Sequence, residues 1–461
     1  MKKYYLIVVL LIEIALVIYY GSLRIQNSHN IKEPRSFGDT NDYFHNADLP
    51  VFSREFWVDE RPPVTALFWK FADSNPDTIH TVQLFFSIIS WAVLAFTISF
   101  TVQNLLVKIV AFVITLAFSL SRDIFMWDAF LGSESIGLSF LALFLAAALW
   151  TLQAWRTYKF FILILLALFL ALTRDTYAYL LLMIALINVP VFAARTHRNV
   201  ALLVSLAFIA VFVLVTNLAG IALRPYRAIL MNTAWRIYPV EEYVDYFRKR
   251  GMPIDEELVT IANDLATTSR RLKSGEKFTV YLALESDPNQ VAFRNWALEN
   301  GSFEYMRFLW FFKVDTMQNV ILQTPYESFS PDVYYYTATG YEPIINDVRT
   351  AEILYPARFG VIFFFAANCM AFFLVPIAWI QNKYKWYIPL LMILLSYPQA
   401  VLIWAADVND IARHSVPHSV LLHLGVWFIV FYIADDILQH LVISFPAPVK
   451  NIFVNKFRLH L

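Results

Sequence analysis

The chain alternates between long uncharged apolar runs and short polar connectors, with two longer polar interruptions. A helix needs about 17 to 25 apolar residues to cross a bilayer, because every backbone polar group must be paired inside hydrocarbon. Ten runs qualify as candidates, near residues 4–20, 82–102, 105–121, 134–152, 160–173, 177–194, 200–223, 357–380, 386–406 and 416–434. The pattern therefore predicts an all-α polytopic membrane protein with about ten transmembrane helices. The first run follows Met1-Lys2-Lys3 and carries no A-x-A cleavage pattern, which predicts a retained anchor. The hydrophilic stretches at 21–81 and 224–356 divide the chain into an N-terminal membrane module (1–223, carrying the loop 21–81), a polar segment (224–356) and a C-terminal membrane module (357–461). Short amphipathic helical patterns run from Glu241 to Arg250 and from Asp255 to Ala266, too thin in apolar periodicity to predict an independent domain.

Composition sharpens the class. Of 461 residues, 59% are hydrophobic and 16% charged, against about a quarter charged in soluble domains, which argues against a soluble enzyme. Lys plus Arg and Asp plus Glu both number 36, so no global basic field exists to hold nucleic acid. The single cysteine, Cys369, cannot form an intramolecular disulfide, and no Cys/His spacing resembles a zinc site. Orientation follows from the short loops, since cytoplasmic loops carry the excess of Lys and Arg. An N-terminus inside gives twelve such residues on the cytoplasmic side, Lys108, Arg156, Lys159, Lys383 and Lys385 among them, against Arg122, Arg174 and Arg413 outside. Both termini are then cytoplasmic and both long polar stretches external.

Candidate chemistry clusters at the external ends of the runs. In the first loop Asp39 and Asp42 are three apart and would share a helix face, with Tyr43 following; a solvated turn explains the same dipeptides. Arg61-Pro62-Pro63 must stop any preceding helix. The stretch after it places Val64, Leu67, Phe68 and Phe71 on one face, as in a helix lying on the membrane interface. Arg174 and Asp175 divide the apolar stretch from Phe160 to Ala194. The part before them rises only about 21 Å, short of the roughly 30 Å hydrocarbon core, so Arg174 is expected at or below the interface, facing a cavity or paired with Asp175 or Asp128. Asp407, Asp410, Arg413, His414 and His418 form a second polar group before the last run, part of it explicable as a solvated loop. Arginines at that depth suit a lipid-linked phosphate, because the planar guanidinium donates two parallel hydrogen bonds and stays charged.

The order of these motifs resembles the GT-C superfamily of integral membrane glycosyltransferases, the protein mannosyltransferase and aminoarabinose transferase-like enzymes that use polyprenyl-phosphate-linked sugars. Asp39 through Tyr43 resembles the family's D-x-x-x-Y acid in the first external loop, and Arg61-Pro62-Pro63-Val64 its K/R-P-P-hydrophobic motif. Ser133-Glu134 resembles its Ser/Thr-Glu at the head of a later span, Arg174 in LTRDTYAY an arginine between paired spans, and Arg413-His414-Ser415-Val416-Pro417 a terminal Arg-Tyr-x-x-Pro in which His414 replaces the tyrosine. The resemblance covers most of the first 200 residues and the last 60 or so, carried by motif order.

It implies an inverting glycosyltransferase in a bacterial plasma membrane, moving a sugar from a polyprenyl-phosphate donor to a hydroxyl on a glycan, lipid or protein. Asp39 is then the general base with Asp42 as its substitute, while Arg61, Arg174, Arg413, His414, Tyr43, Glu134 and Asp128 serve the donor phosphate and substrate. Asp39 and Glu134 are the candidates for a divalent cation, since the family is mixed on metals. A transporter or lipid flippase also suits many spans with polar clusters, although no internal repeat is visible and 11 glycines are few for broken helices. A noncatalytic scaffold presenting residues 224–355 to a partner is a third reading.

Overall fold

The computed structural model describes the chain except residues 1, 32, 194–197, 269–277, 313–352, 356–359, 382, 407, 409–410 and 445–461. Among the described residues the fold is helical, and the only strand-like pairing recorded is an isolated parallel bridge between Arg35 and Phe130. The chain is an all-α, multi-pass membrane protein. Among the described residues seven helices are long and apolar enough to cross a bilayer: Ile7–His29, Pro76–Thr101, Glu134–Gln153, Asn199–Ile221, Val361–Ile380, Tyr387–Ala406 and Ile411–His440. Leu105–Ser119 with Arg122–Ala129, bent by 59°, makes an eighth if the pair is one span. Thr157–Ala171 and Asp175–Asn188 are apolar but shorter. The apolar runs thus all reappear in helices, seven or eight of them, among the described residues, meeting the length and composition of a span. Fifteen residues in Thr157–Ala171 rise about 22 Å, too little for the hydrocarbon core alone.

Side chains on the outward faces of these helices, such as Leu11, Ile18, Phe372 and Ile380, are exposed. Such surface belongs against lipid, where no water is displaced by leaving it uncovered by protein. The core between the helices is dense with aromatics, for example Phe68, Phe86 and Phe140, which pack with ring centroids 4.9 to 5.7 Å apart.

Two polar rims close the bundle. At one, the Asp435 carboxylate accepts from the backbone N–H of Gln103 (3.0 Å) and Asn104 (2.7 Å), while Lys383 pairs with Asp436 (2.8 Å) and Lys385 with both aspartates. At the other end lie the first loop, the head of Glu134–Gln153, the break between Thr157–Ala171 and Asp175–Ala193, and the head of Ile411–Ser444.

The first loop is more helical than its composition suggests. Lys2–His29 and Pro76–Thr101 extend into it from both sides, and Thr40–Asp48, Arg54–Trp57 and Pro63–Phe71 fill it. Pro63 opens its helix where no backbone donor is needed. The interface-lying helix expected after it is corrected: Val64 and Trp69 are buried in the bundle, Phe68 meets Phe86, and of the expected lipid-facing side chains only Phe71 is fully exposed. The Val64 N–H donates to the Leu172 carbonyl (3.2 Å), satisfying the end of Thr157–Ala171.

The polar segment holds its own core, which its thin periodicity did not lead one to expect. Leu230, Tyr238, Val244, Phe247, Leu284, Phe293 and Phe308 bury one another between short helices that include Arg224–Asn232, Glu241–Arg248, Glu256–Thr268 and Ser302–Phe311. Arg227 pairs with Glu60, and the Arg224 side chain bridges Asp175 (2.9 Å) and the Asp59 carbonyl (3.1 Å), so this segment grips the rim that carries the first loop.

Candidate active site

Three arginines and three carboxylates alternate in one connected network at that rim. Asp42 accepts from Arg61 Nε (2.9 Å), and Arg61 Nη2 donates to Asp39 Oδ1 (2.7 Å). The other oxygen, Asp39 Oδ2, accepts from Arg413 Nη2 (2.9 Å), and Arg413 Nη1 donates to Glu134 Oε1 (3.0 Å). Glu134 Oε1 also accepts from Arg174 Nη2 (2.6 Å), whose Nε donates to the Ser133 hydroxyl (3.1 Å). Four distant parts of the chain meet here, with 374 positions between Asp39 and Arg413.

Local structure explains why these side chains are available. Asp39 is the N-cap of Thr40–Asp48 and Ser133 the N-cap of Glu134–Gln153, yet neither side chain caps its helix. Both turn outward to arginines, and Glu134, in the first turn of its helix, gains from the positive end of the helix dipole. Thr40 pins the loop instead: its hydroxyl accepts from the Phe37 N–H (3.0 Å) and donates to the Leu131 carbonyl (2.7 Å). Arg35 adds two backbone bonds to Ala129 and Leu131, which hold the first loop against the segment before Glu134. Gly132 is required by close approach, since a Cβ there would lie 2.5 Å from both Glu134 Oε2 and the Phe37 ring.

The network runs from water into the bundle. The Asp42, Arg61 and Asp39 side chains keep 33%, 29% and 20% of their exposure, while Arg413, Arg174 and Glu134 keep 7%, 9% and 2%. Burial pushes the Asp39 pKa upward, but the guanidiniums of Arg413 and Arg61 outweigh it and hold the carboxyl below its ordinary range. Burial would lower the pKa of Arg61, and the charges of Asp39 and Asp42 oppose this, so it stays cationic. Tyr43 is buried against Trp69, and burial raises its pKa and keeps the phenol neutral. Among the described residues Glu134 Oε2 is buried without a hydrogen-bond partner, an acceptor that its two arginine partners leave over.

Of the residues singled out from sequence, Asp39, Asp42, Arg61, Glu134, Arg174 and Arg413 come together. His414 joins through its Nε2, 3.2 Å from Arg413 Nη2. Tyr43 lies behind Asp39 on the same helix, four residues on. Asp128 is placed elsewhere: its Oδ2 pairs with Arg24 (2.9 Å) and its Oδ1 accepts from Ser135 (2.6 Å) in a buried cluster. Neither pairing expected for Arg174 forms, because Asp175 goes to Arg224 and Asp128 to Arg24. His418 is buried one turn further along the last helix, and Asp407 and Asp410 lie outside the described residues.

Sequence reading missed Arg24, Arg224, Arg227 and Glu60. Arg24 alone carried a signal, a lone cation four residues after Tyr20, whose hydroxyl it meets at 2.6 Å. The residues present do not fit a cation bridging Asp39 and Glu134, because the Arg413 guanidinium already spans the two carboxylates. Among the described residues no three His, Cys, Asp or Glu side chains gather as a metal site. No protein-family model, no curated protein sequence and no solved structure matches the chain.

Proposed function

We propose that the protein is an inverting glycosyltransferase that takes a sugar from a polyprenyl-phosphate donor at the external membrane face and gives it to an acceptor hydroxyl. The observation that carries this reading is the alternating network itself. It sets a carboxylate between two guanidinium forks, Arg61 and Arg413, at the point where the bundle opens to water. A phosphate is recognised by such forks, and a nearby carboxylate can take a proton as a new bond forms.

In this reading the acceptor oxygen attacks the anomeric carbon from the side opposite the phosphate. The bond from that carbon to the phosphate oxygen breaks, the phosphate leaves with the electron pair, and the hydroxyl proton passes to Asp39. One carboxylate suffices, since phosphate needs no acid to leave; hydrolysis of a glycoside would need two flanking carboxyls. The arginines stabilise charge as it grows on the leaving phosphate, in a site partly shielded from water. Asp39 is a weak base while both forks hold it. An arriving phosphate competes for Arg413 and Arg61, and each contact it draws away raises the Asp39 pKa toward a useful value. Glu134 holds Arg174 and Arg413 in place.

The test is direct incubation of the protein in lipid nanodiscs with a panel of radiolabelled polyprenyl-phosphate sugars and mixed acceptors. Release of polyprenyl phosphate together with a labelled glycoconjugate supports the reading. Movement of intact donor between leaflets without bond cleavage would replace it with a flippase.

A further inference from the structure

Helix Ser302–Phe311 turns one face into the core of its segment and leaves the other exposed. Tyr305, Phe308 and, just beyond the helix, Phe312 are buried, whereas Phe303, Met306, Trp310 and Phe311 are between 65% and 76% exposed. Residues 303, 306 and 310 follow the i, i+3, i+7 spacing of a single helical face. Arg307 sits among them, 3.0 Å from Glu304 and with its guanidinium 5.6 Å from the Phe303 ring centroid.

The buried face ties the helix to the end of a candidate membrane span. The Tyr305 hydroxyl lies 3.0 Å from the carbonyl of Ala405, next to the last residue of the spanning helix Tyr387–Ala406. Asn232 and Arg236 make the same joint, Asn232 Nδ2 donating to Ala405 O (3.1 Å) and Arg236 to Trp404 O (2.6 Å) with its guanidinium over the Trp404 ring. Met306 and Trp310 are within about 8 Å of Tyr305 along the helix axis. Each interfacial layer of a bilayer is roughly 5 to 8 Å deep, comparable with these distances, and Trp and Arg are favoured at that level.

We infer that Ser302–Phe311 is an interfacial helix whose Phe303, Met306 and Trp310 enter the boundary between headgroups and acyl chains of the leaflet on the site's side, with Arg307 beside lipid phosphates. The occupant is lipid because the helix is bolted to the end of a membrane span and its exposed residues are the aromatic, sulfur and basic types that a headgroup layer takes up. This seating steadies the segment whose Arg224 and Arg227 hold the loop before Arg61. It does not depend on the reaction proposed above.

The experiment places nitroxide labels in a Cys369→Ser background at Phe303→Cys, Met306→Cys and Trp310→Cys, with Glu257→Cys, exposed on another helix of the segment, as the aqueous reference. The protein is held in nanodiscs of phosphatidylcholine and phosphatidylglycerol, and collisions with oxygen and with a water-soluble nickel chelate are compared. Oxygen should dominate at 303, 306 and 310 and the chelate at 257. Brominated lipids should also quench wild-type tryptophan emission more than that of Trp310→Phe, a check that needs no label. Chelate access at 303, 306 and 310 equal to that at 257 overturns the inference. Exclusion of both reagents also overturns it, by showing that protein covers the face.

Discussion

Removal of Arg24 tests whether Asp128 is a structural partner or part of the site. Arg24 is fully buried and the Asp128 side chain 3% exposed; Nη2 meets Oδ2 at 2.9 Å, Nη1 reaches the Tyr20 hydroxyl, and the guanidinium lies 5.1 Å from the Phe125 ring centroid. Arg24→Met fills similar volume but strands the carboxylate with little more than the Ser135 hydroxyl. Breaking a buried pair from one side costs about 3 to 5 kcal/mol, because a charge is left in low dielectric without its partner. That corresponds to roughly a hundredfold to several thousandfold in the folding equilibrium. Asp128→Asn alone should cost a comparable amount, by stranding the guanidinium. The double variant Arg24→Met/Asp128→Asn leaves no buried charge, and the new amide oxygen can still take the Ser135 bond. It should be more stable than either single variant, with a coupling of about 2 kcal/mol or more. Steric trapping in bicelles measures all four proteins. A double variant as unstable as the sum of the singles would refute the reasoning. A double variant that folds well but no longer binds a polyprenyl-phosphate donor would return Asp128 to the site.

Asp39→Asn should lower turnover at least about a hundredfold while donor binding persists, and Asp42→Asn should cost less; the reverse order moves the base to Asp42. The depressed Asp39 pKa has a signed consequence: its carboxylate survives as pH falls and is lost only on passing the folded-state value. The acid limb of the kcat/KM profile, which reports the free enzyme, should therefore start below the ordinary carboxylate range, and Arg413→Met should move it to higher pH; an unmoved limb means another group sets it. Arg174→Lys keeps charge but loses the planar fork that spans Glu134 and Ser133, so donor affinity should fall more than melting temperature does, and the opposite pattern marks a purely structural arginine. An externally active reporter should work when fused after residue 60 or 300 and stay silent after residue 197, in keeping with the bias of Lys and Arg in the short loops.

What could be read from sequence follows the physics of each feature. Hydrocarbon forces long apolar runs, so helices such as Pro76–Thr101 and Glu134–Gln153 announce themselves. Charges at the ends of such runs are conspicuous because they are rare there, which is why Glu134, Arg174 and Arg413 stood out before their contacts were visible. Their pairing was hidden, since which arginine meets which carboxylate depends on how helices far apart in sequence pack. Arg174 bonds across 40 positions to Glu134 and leaves its neighbour Asp175 to Arg224. The core of residues 229–312 was hidden for a different reason. Helices of eight to thirteen residues, such as Glu241–Arg248 and Glu256–Thr268, are too short for a repeating apolar stripe to emerge from noise.

The network also limits which chemistry the site can support before a substrate arrives. Asp39, Asp42 and Glu134 balance Arg61, Arg174 and Arg413, so the six groups carry no net charge, and each guanidinium already donates to a carboxylate. An anion binding there must exchange contacts in place of filling open ones. The exchange is easiest at the wet end, where Arg61 and Asp42 keep about a third of their exposure and water can compensate a parted pair, and hardest at Glu134, where a parted pair stays dry. In the proposed reaction Arg61 is therefore the fork that would move onto a phosphate, Arg413 would follow only as far as Glu134 permits, and Asp39, between them, would gain basicity in proportion to what they give up.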